Sequence, residues 1–507
     1  MTAALAAIPA LTAAPVHADE TPLRVALHSD IASIEPGVNR DANSDMVLGH
    51  VVEGLVAYGD DLQLKPMLAK SWSVGEDGTT YDFELREDVT FHDGTPLTGE
   101  VVAWNFERYL DPETNFQCRA RYDGGVGPAI TSVEATGEHS VRVTFEDAAP
   151  NFLLTMGTIQ CTPWIIAPSS LDEDGTFVKP VGTGPYEFET QETGRYLDLT
   201  RFEDYAALPG EPDGYAGNKS ADIEAIRFMT VPDASTRSNG LMAGQLDVIN
   251  EVEPGIIETL EGRGFTVDIT PTPAIMVLQL QTRNVKDVRV RQAIAHALDL
   301  PQLAEALGGG LYRPNPSILA EGTFYEDDSA AAWPQPDIAK AKALLKEAGY
   351  DGKPIGILVA NRQNRVQVAT IVQAMLGAAG INATLDVRDW ATQLDRYRRG
   401  DYELAVFAYS ARLDPVLFFQ SLIGDKDAEP TRMWESDEAE VLLAKVETLT
   451  DPEERKAVFA KLNTLMARDV PMLGLFNLTV VTALAPDLQG YEGWAAGVNR
   501  FWGVSRK

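Results

Sequence analysis

The stretch Pro354-Ile-Gly-Ile-Leu-Val359 begins a segment in which short apolar runs alternate with helical patterns. A helical pattern over residues 366–379 follows it, then the run Ala383-Thr-Leu-Asp-Val387, a second helical pattern over residues 391–399 and the run Leu404-Ala-Val-Phe407. Short apolar runs are typical of buried strands, and the longer amphipathic patterns predict helices. This alternation of strand and helix predicts an α/β lobe built on a mixed sheet.

The same character extends toward the amino terminus. The run Ile275-Met-Val-Leu-Gln-Leu280 predicts another buried strand, and residues 288–298 have the apolar spacing of an amphipathic helix. A further helix is predicted over residues 337–348, with Asp337 as its N-cap and Gly349 just beyond its end.

The first half of the chain is richer in strand patterns. Strands are predicted at Leu23-Arg-Val-Ala-Leu27, at Tyr81-Asp-Phe-Glu-Leu-Arg86, at Ser140-Val-Arg-Val-Thr-Phe145 and, less regularly, over residues 223–228. Residues 46–56 carry apolar side chains at helical spacing and predict a helix among these strands.

Length and charge limit the class of protein. A chain of 507 residues, 45% of them apolar and 23% charged, exceeds what one hydrophobic core usually needs and indicates at least two lobes. Its formal net charge of −33 repels phosphate backbones and anionic lipid, so we expect no nucleic-acid partner.

The first eighteen residues resemble an export signal. An apolar run ends in Ala14-Pro-Val-His-Ala18, a small-residue cleavage pattern, so residues 1–18 are predicted to be a signal peptide and the protein to be exported. The basic residues that normally precede such a run are missing, which leaves a start farther upstream or a frayed terminus as alternatives. No later segment approaches the ~18 to 20 apolar residues of a membrane span.

Cysteine and histidine are sparse. Cys118 and Cys161 form an even pair in a chain predicted to be exported, which favours one disulfide over two buried thiols. Neither belongs to a CxxC motif, and the six histidines show no ligand spacing, so we expect no metal site.

A set of motifs in the first half carries a family resemblance. These motifs are Val51-Val-Glu-Gly-Leu-Val-Ala-Tyr58, Lys65-Pro-Met-Leu-Ala-Lys-Ser-Trp72, Glu76-Asp-Gly-Thr-Thr-Tyr-Asp-Phe-Glu-Leu-Arg86 and Val89-Thr-Phe-His-Asp-Gly94. Further pieces follow in order: Val181-Gly-Thr-Gly-Pro-Tyr186, Ala243-Gly-Gln-Leu-Asp-Val248, residues 288–298 and residues 341–350. Together they resemble the extracellular solute-binding family 5, which includes dipeptide-, oligopeptide- and nickel-binding components of ABC importers.

The resemblance implies an architecture and a role. It implies a type II periplasmic-binding-protein clamshell of the large peptide-binding class, with an extra subdomain in lobe one. Lobe one would comprise residues 19–268 with residues 478–507 returning to it, and lobe two residues 269–477. We therefore expect a monomeric periplasmic protein without catalytic residues or cofactor, which carries a small molecule or short peptide to membrane permease subunits. A metal chelate is the alternative solute, an exported hydrolase the alternative from another class, and a chemosensory ligand carrier a third possibility.

The segment Tyr409-Ser-Ala-Arg-Leu-Asp-Pro415 bears on the solute. In peptide-binding relatives a carboxylate four residues before the proline holds the ligand's amino group, but here that position is Ala411. Asp414 is a candidate substitute. Arg412, with Arg119 and Arg121, offers guanidinium groups suited to a carboxylate, which favours an anionic solute. The residues expected of a nickel site are incomplete.

The remaining predicted ligand-binding residues are aromatic or lie in the loop after the first strand. They are Trp390, Tyr409, Trp494, Asn39, Arg40 and Asp41. Each has an ordinary alternative, because aromatic side chains are more often part of a core and loop residues are often merely solvated.

Overall fold

The computed structural model describes residues 21–319, 323–326, 328–449 and 451–507, so the predicted signal peptide lies outside the described residues. The strands are β1 Leu23–Leu27, β2 Val56–Tyr58, β3 Leu64–Pro66, β4 Ala69–Val74, β5 Thr80–Leu85, β6 Ile130–Gly137, β7 Ser140–Phe145, β8 Tyr186–Glu192, β9 Tyr196–Arg201, β10 Pro212–Asp213, β11 Ala216–Gly217, β12 Ala225–Thr230, β13 Val248–Ile249, β14 Thr266–Leu280, β15 Arg313–Pro314, β16 Ile355–Ala360, β17 Ala383–Arg388, β18 Leu404–Tyr409, β19 Met472–Leu484, β20 Leu488–Gln489 and β21 Ser505–Arg506.

The helices are α1 Ala42–Leu48, α2 Gly99–Leu110, α3 Phe152–Gly157, α4 Ala234–Met242, α5 Ile257–Gly262, α6 Val288–Ala297, α7 Leu300–Gly308, α8 Ile338–Ala348, α9 Gln363–Ala378, α10 Trp390–Arg399, α11 Val416–Leu422, α12 Asp437–Thr448 and α13 Pro452–Asp469. Within the described ranges, no helix combines the length and apolar character needed to cross a bilayer.

One continuous sheet runs through the molecule in the order β17-β16-β18-β14-β19-β13-β1-β12-β9-β8. At one end β16 pairs in parallel with β17 and β18, and at the other β1 pairs in parallel with β12 and β13. The long strands β14 and β19 join these two groups through antiparallel pairing. The predicted mixed α/β sheet is confirmed.

The pairing of β14 with β19 changes register where the two groups of strands meet. Thr266 to Pro271 pair with Leu484 to Thr479, and the register then shifts before Ile275 pairs with Asn477. Pro271 and Pro273 cannot donate to the ladder, which explains the irregularity at this point.

The hydrophobic cores of the two lobes lie on either side of this irregularity. The core of lobe two is drawn from residues 275–476, including Val277, Phe419 and Phe476. The main core of lobe one joins residues 23–248 with residues 484–504. The described chain thus forms two lobes linked by β14 and β19, and this arrangement supports the lobe boundaries near residues 268 and 478, which stay a prediction.

Lobe one contains a subdomain with its own small sheet, in the order β4-β5-β7-β6. Its separate core includes Phe83, Phe106 and Phe152, and Cys118 packs beside that core. A disulfide joins Cys118 to Cys161, with their Cα atoms 5.3 Å apart. This bond ties the turn at residues 119–121 to the chain that follows α3.

The predicted helix over residues 46–56 is wrong in its bounds. Helix α1 spans Ala42–Leu48, because Asp41 caps its first turn by accepting a hydrogen bond from the Ser44 N–H at 2.8 Å. The carbonyls of His50 and Val51 instead accept hydrogen bonds from the N–H groups of Tyr186 and Gly184, both at 3.0 Å. A Cβ at Gly182 would lie 1.9 Å from the Val51 carbonyl oxygen, so only glycine permits this approach.

The helix predicted from Asp337 is confirmed. Asp337 accepts a hydrogen bond from Lys340 N at 2.9 Å, and Gly349 ends the helix with a left-handed φ of 68°. The motif at residues 89–94 forms an isolated bridge between Thr90 and Pro96.

Removing the disulfide tests how firmly it constrains lobe one. The bond spans 43 residues of sequence, and the chain-entropy argument gives about 4 kcal/mol for a loop of that size. We expect the double variant Cys118→Ser/Cys161→Ser to lose roughly that much free energy of unfolding in urea denaturation. A urea midpoint equal to that of the disulfide-bonded wild type would contradict this expectation. Reduced wild-type protein, which lacks the bond without any substitution, is the matched control.

Candidate ligand-binding cleft

The carboxyl ends of the parallel strands converge between the two lobes, which is where open α/β sheets bind ligands. His28 follows β1 and Glu251 follows β13 in lobe one; Arg362 follows β16 and Arg412 follows β18 in lobe two. The charge of Arg362 lowers the pKa of Glu251 across the lobes. These residues therefore face one another across a shared cleft.

Arg412 lies deep in this cleft. Its Nη1 is buried and finds no hydrogen-bond partner among the described residues. Burial lowers the pKa of Arg412 to about 10, with further contributions from the like charges of Arg40 and Arg121. The group stays cationic at neutral pH and leaves a donor unused.

Arg40, from lobe one, is held by Asp45 of helix α1. The Arg40 Nε donates to Asp45 Oδ1 at 2.8 Å, and a second hydrogen bond completes the bidentate pair. Burial raises the pKa of Asp45 to about 6, while Arg40 acts in the opposite direction. Asp45 therefore neutralises Arg40 near pH 7 at a cost in desolvation.

Arg121 and Arg119 share a turn but have different surroundings. Arg121 donates to the side-chain oxygen of Gln420 in α11, so it bridges the lobes, and burial lowers its pKa. Arg119 pairs with Asp123 at 2.5 Å and is more exposed. The geometry places Arg121 in the cleft and gives Arg119 a carboxylate partner of its own.

Arg412, Arg40 and Arg121 form a first group of charges in the cleft, and a second group lies elsewhere in it. Burial lowers the pKa of Arg365, which contacts Met276 Sδ at 3.6 Å. Burial opposes ionisation of Glu251, but the charges of His28 and several arginines outweigh it and hold its pKa below the usual value. Glu251 has a left-handed φ of 51°, a strained conformation of the kind found at ligand sites.

Trp390 adds an aromatic face to this second group. Its side chain is 40% exposed, and the Arg362 guanidinium lies 5.3 Å from the ring centroid. Phe407 packs 5.5 Å away and fixes the ring. An exposed ring under a cation offers a surface for a flat part of a solute.

Tyr409 lies beneath the surface of the cleft rather than on it. It is buried, and its hydroxyl accepts from Gln279 Nε2 at 2.8 Å and lies 3.3 Å from that of Tyr397. Burial raises the pKa of Tyr409 well above its usual value, so the phenol stays neutral. It positions Tyr397, whose charge environment includes Arg412.

The match to a known family covers most of the chain. Residues 63–429 match the family model described as bacterial extracellular solute-binding proteins, family 5 middle. The chain belongs to this family.

Relatives and solved structures agree with that assignment. This family 5 protein is 26% identical to heme-binding protein A of Haemophilus influenzae, over 94% of this chain and 89% of the relative. It is 25% identical to the glutathione-binding protein of Escherichia coli K12, over 92% and 91%. The periplasmic binding protein DppA of Helicobacter pylori, solved with the peptide STSA, superposes with a TM-score of 0.83 at 24% identity, over 96% and 98% of the chains. The type II clamshell is thereby established, and the family consists of binding proteins rather than enzymes.

Two predicted ligand residues of this family 5 protein lie in cores. Trp494 is 3% exposed, donates from Nε1 to the Gly59 carbonyl at 3.1 Å and packs against Tyr215. Asp414 accepts from Arg455 at 2.8 Å on both oxygens and from the Tyr325 hydroxyl at 3.0 Å. Both side chains thus have partners within the protein, and their role at the ligand site stays a prediction.

The loop after β1 contributes in part. Asn39 has a left-handed φ of 45° and donates to the Ala32 carbonyl at 3.3 Å, while Asp41 caps α1. The charge of Asp41 also acts on His28, which places this loop between the two groups of cleft residues. Of the three loop candidates, Arg40 makes the strongest case for a place near the solute.

Sequence reasoning missed Asp45, Glu251, Arg362 and Arg365. A usable signal was present for the last three, because each lies within a few residues of the carboxyl end of a predicted or observed strand. Asp45 gave no such signal, since only the folded chain brings it to Arg40.

Other places in the described chain fit a solute or metal less well. A cavity of about 740 Å³ opens at the opposite, amino ends of β1, β12 and β13. There Arg24 pairs with Asp247 at 2.8 Å and Arg506 with Asp487 at 2.6 Å, so its charges already have partners. No group of three or more histidine, cysteine or acidic residues in the described ranges is arranged to hold a metal ion.

The raised pKa of Asp45 predicts a pH effect on stability. Its folded pKa of about 6 exceeds the ordinary value of 3.8, so the folded state holds this proton more tightly, and stability falls as pH rises between the two values. Relative to Asp45→Asn, we expect the wild type to lose up to roughly 3 kcal/mol of unfolding free energy from pH 4 to pH 7, measured by urea denaturation. Parallel pH profiles would contradict this; Asp401→Asn, at a largely exposed carboxylate, is the control.

The buried pair of Asp414 with Arg455 predicts a structural role. Both side chains are about 5% exposed or less, so Asp414→Ala leaves a buried cation unpaired and should cost about 3 to 5 kcal/mol of unfolding free energy. The folded fraction of Asp414→Ala should keep its affinity for solute. A variant of near-native stability that binds no solute would return Asp414 to the ligand site.

Proposed function

We propose that this protein is the exported, periplasmic solute-binding component of an ABC importer and that it captures a small peptide or peptide-like solute bearing a carboxylate. The observation that carries the proposal is the buried Nη1 of Arg412, a donor in the cleft that has no hydrogen-bond partner among the described residues. A carboxylate is the group that best satisfies such a donor, because it accepts two hydrogen bonds from a guanidinium.

The residue at the position where peptide-binding relatives hold the amino group supports the same solute class. Ala411, one residue before Arg412, is buried and apolar, so the site lacks the carboxylate that would hold an ammonium group there. Two acids described above, Asp45 and Asp414, are already paired with Arg40 and Arg455. An acid group therefore fits this end of the cleft better than an amine does.

The arrangement also explains why a solute would favour closure. Arg40 and Arg121 come from lobe one and Arg412 from lobe two, so a bound anion contacts both lobes only when they close. A ligand shifts a conformational equilibrium by its additional contacts in the favoured state. Membrane permease subunits would then receive a monomeric closed complex.

The relatives support an organic, acid-bearing solute. Two are named for heme and for glutathione, and the solved structure holds a peptide. All three compounds carry carboxylates. A metal chelate, an exported hydrolase and a chemosensory carrier are the alternatives that the experiment below separates.

Native mass spectrometry of protein gently purified from its own periplasm tests the proposal. We expect a stoichiometric adduct that denaturation releases unchanged as an organic acid. Arg412→Ala should lose the adduct, or bind the recovered solute roughly 10- to 100-fold more weakly, since charged hydrogen bonds contribute about 1.5 to 3 kcal/mol. Arg142→Ala, which removes an exposed arginine paired with Asp82 in the small sheet of the subdomain, is the control and should keep it.

Three outcomes would contradict the proposal. A released compound without any acid group, or unchanged affinity in Arg412→Ala, would remove the anion site. Turnover of peptides or esters at substoichiometric protein would favour the hydrolase, and a nickel or iron adduct the metal chelate.

A further inference from the structure

The cationic groups of the cleft fall into two separate ends. The charges that act most strongly on Arg412 come from Arg40 and Arg121, whereas those that act on Arg365 come from Glu251 and Arg362. The first end lies beyond the carboxyl end of β18, and the second lies at the amino end of α9, which follows β16. The cleft therefore offers two places for charged groups of one solute.

At the first end Glu447 and Glu429 act on Arg121 through their charge but without a direct ion pair. Asp45 neutralises Arg40, but no carboxylate of the described residues forms an ion pair with Arg121 or with Arg412. Arg121 donates instead to the neutral amide of Gln420, whose own amide nitrogen donates to Glu447 at 2.6 Å. Two guanidinium groups thus lack an anionic partner.

At the second end the arginines lie where a helix makes them least favourable. Arg362 is the N-cap of α9 and Arg365 belongs to its first turn. The amino end of a helix carries a partial positive charge that favours anions and disfavours cations. Arg362 makes no side-chain cap hydrogen bond, whereas Asp337, Asp389 and Asp451 cap their helices with carboxylates.

Glu251 only partly compensates this second end. The charges of both arginines lower the pKa of Glu251. The ion pair that Glu251 forms among the described residues, however, is with His28, at 3.7 Å. Burial lowers the pKa of His28, so that imidazole is mostly neutral near pH 7. One carboxylate thus faces two guanidinium groups and a helix amino end, a combination suited to an external anion.

We infer that the solute is a diacid, with one acid group received by Arg412 and Arg121 and the other by Arg365 and Arg362. This inference rests on the proposed function and narrows its solute class. A zwitterionic peptide would place an ammonium group against one of the two arginine ends. A peptide whose amino end is capped by an acid presents an anion to both, and Trp390 offers its ring to the part between.

Matched synthetic peptides test the inference by isothermal titration calorimetry on wild-type protein freed of solute. The probes are N-succinyl peptides of alanine, with roughly two to four residues, together with the same peptides bearing a free amine or a carboxyl-terminal amide. We expect the best succinyl peptide with a free carboxyl end to bind at least about tenfold more tightly than its amine and amide counterparts. Equal affinities, or a panel in which no diacid binds, would overturn the inference.

Two variants test which end of the cleft receives each acid group of the solute. Arg412→Gln and Arg365→Gln should each weaken the diacid about tenfold or more, while the succinyl amide should respond to only one of them. Arg142→Gln, at an exposed arginine paired with Asp82 in the small sheet of the subdomain, is the control and should change neither affinity. Equal responses of the succinyl amide to both cleft variants would contradict two separate ends.

The two proposals fail in different ways. If the free-amine peptide binds as tightly as the diacid and Arg412→Gln weakens both, the solute-binding function stands and the diacid inference falls. If Arg412→Gln changes no affinity, the anion site of the proposed function falls with it.

Discussion

The pairing of β14 with β19 is the constraint on which the rest of the structure depends. These strands are hydrogen-bonded to each other in both lobes, so each lobe adds its parallel strands to one shared frame. That frame fixes the direction of every parallel strand and brings their carboxyl ends to the same cleft. The prolines at Pro271 and Pro273 interrupt the ladder where the lobes meet, and a second register shift follows between Met276 and Val277.

The frame concentrates positive charge in a strongly acidic molecule. With a net charge of −33, most of the protein repels anions, whereas the cleft places Arg412, Arg121 and Arg365 where burial reduces screening. Solvent-exposed charges are screened within about a Debye length, but buried ones keep their influence over the solute. Selectivity for an anion therefore arises from the local arrangement and not from the overall charge.

The sequence predicts the frame better than the cleft. Strands β5, β7 and β18 and the capped helix α8 follow from local patterns, because the period of the side chains and the chemistry of the caps are written within a few residues. Arg412 and Arg121 could be proposed from a family-like motif and from residue type. The partners of Asp414 and Trp494 could not be predicted, because Arg455, Tyr325 and Gly59 reach them from distant parts of the chain. Glu251 and Arg365, separated by more than a hundred residues, become neighbours only through the shared sheet.

Unpaired arginines link binding to closure. Bringing Arg412 of lobe two toward Arg40 and Arg121 of lobe one costs free energy, because like charges approach in a partly desolvated space. Contacts between the lobes, such as that of Arg455 with Asn151 at 3.0 Å, offset part of this cost. An anion between the arginines turns repulsion into attraction, and the gain appears only in the closed arrangement. A carboxylate supplied by the protein would remove the repulsion permanently and with it the dependence of closure on solute, so the missing partner is what makes the cleft responsive.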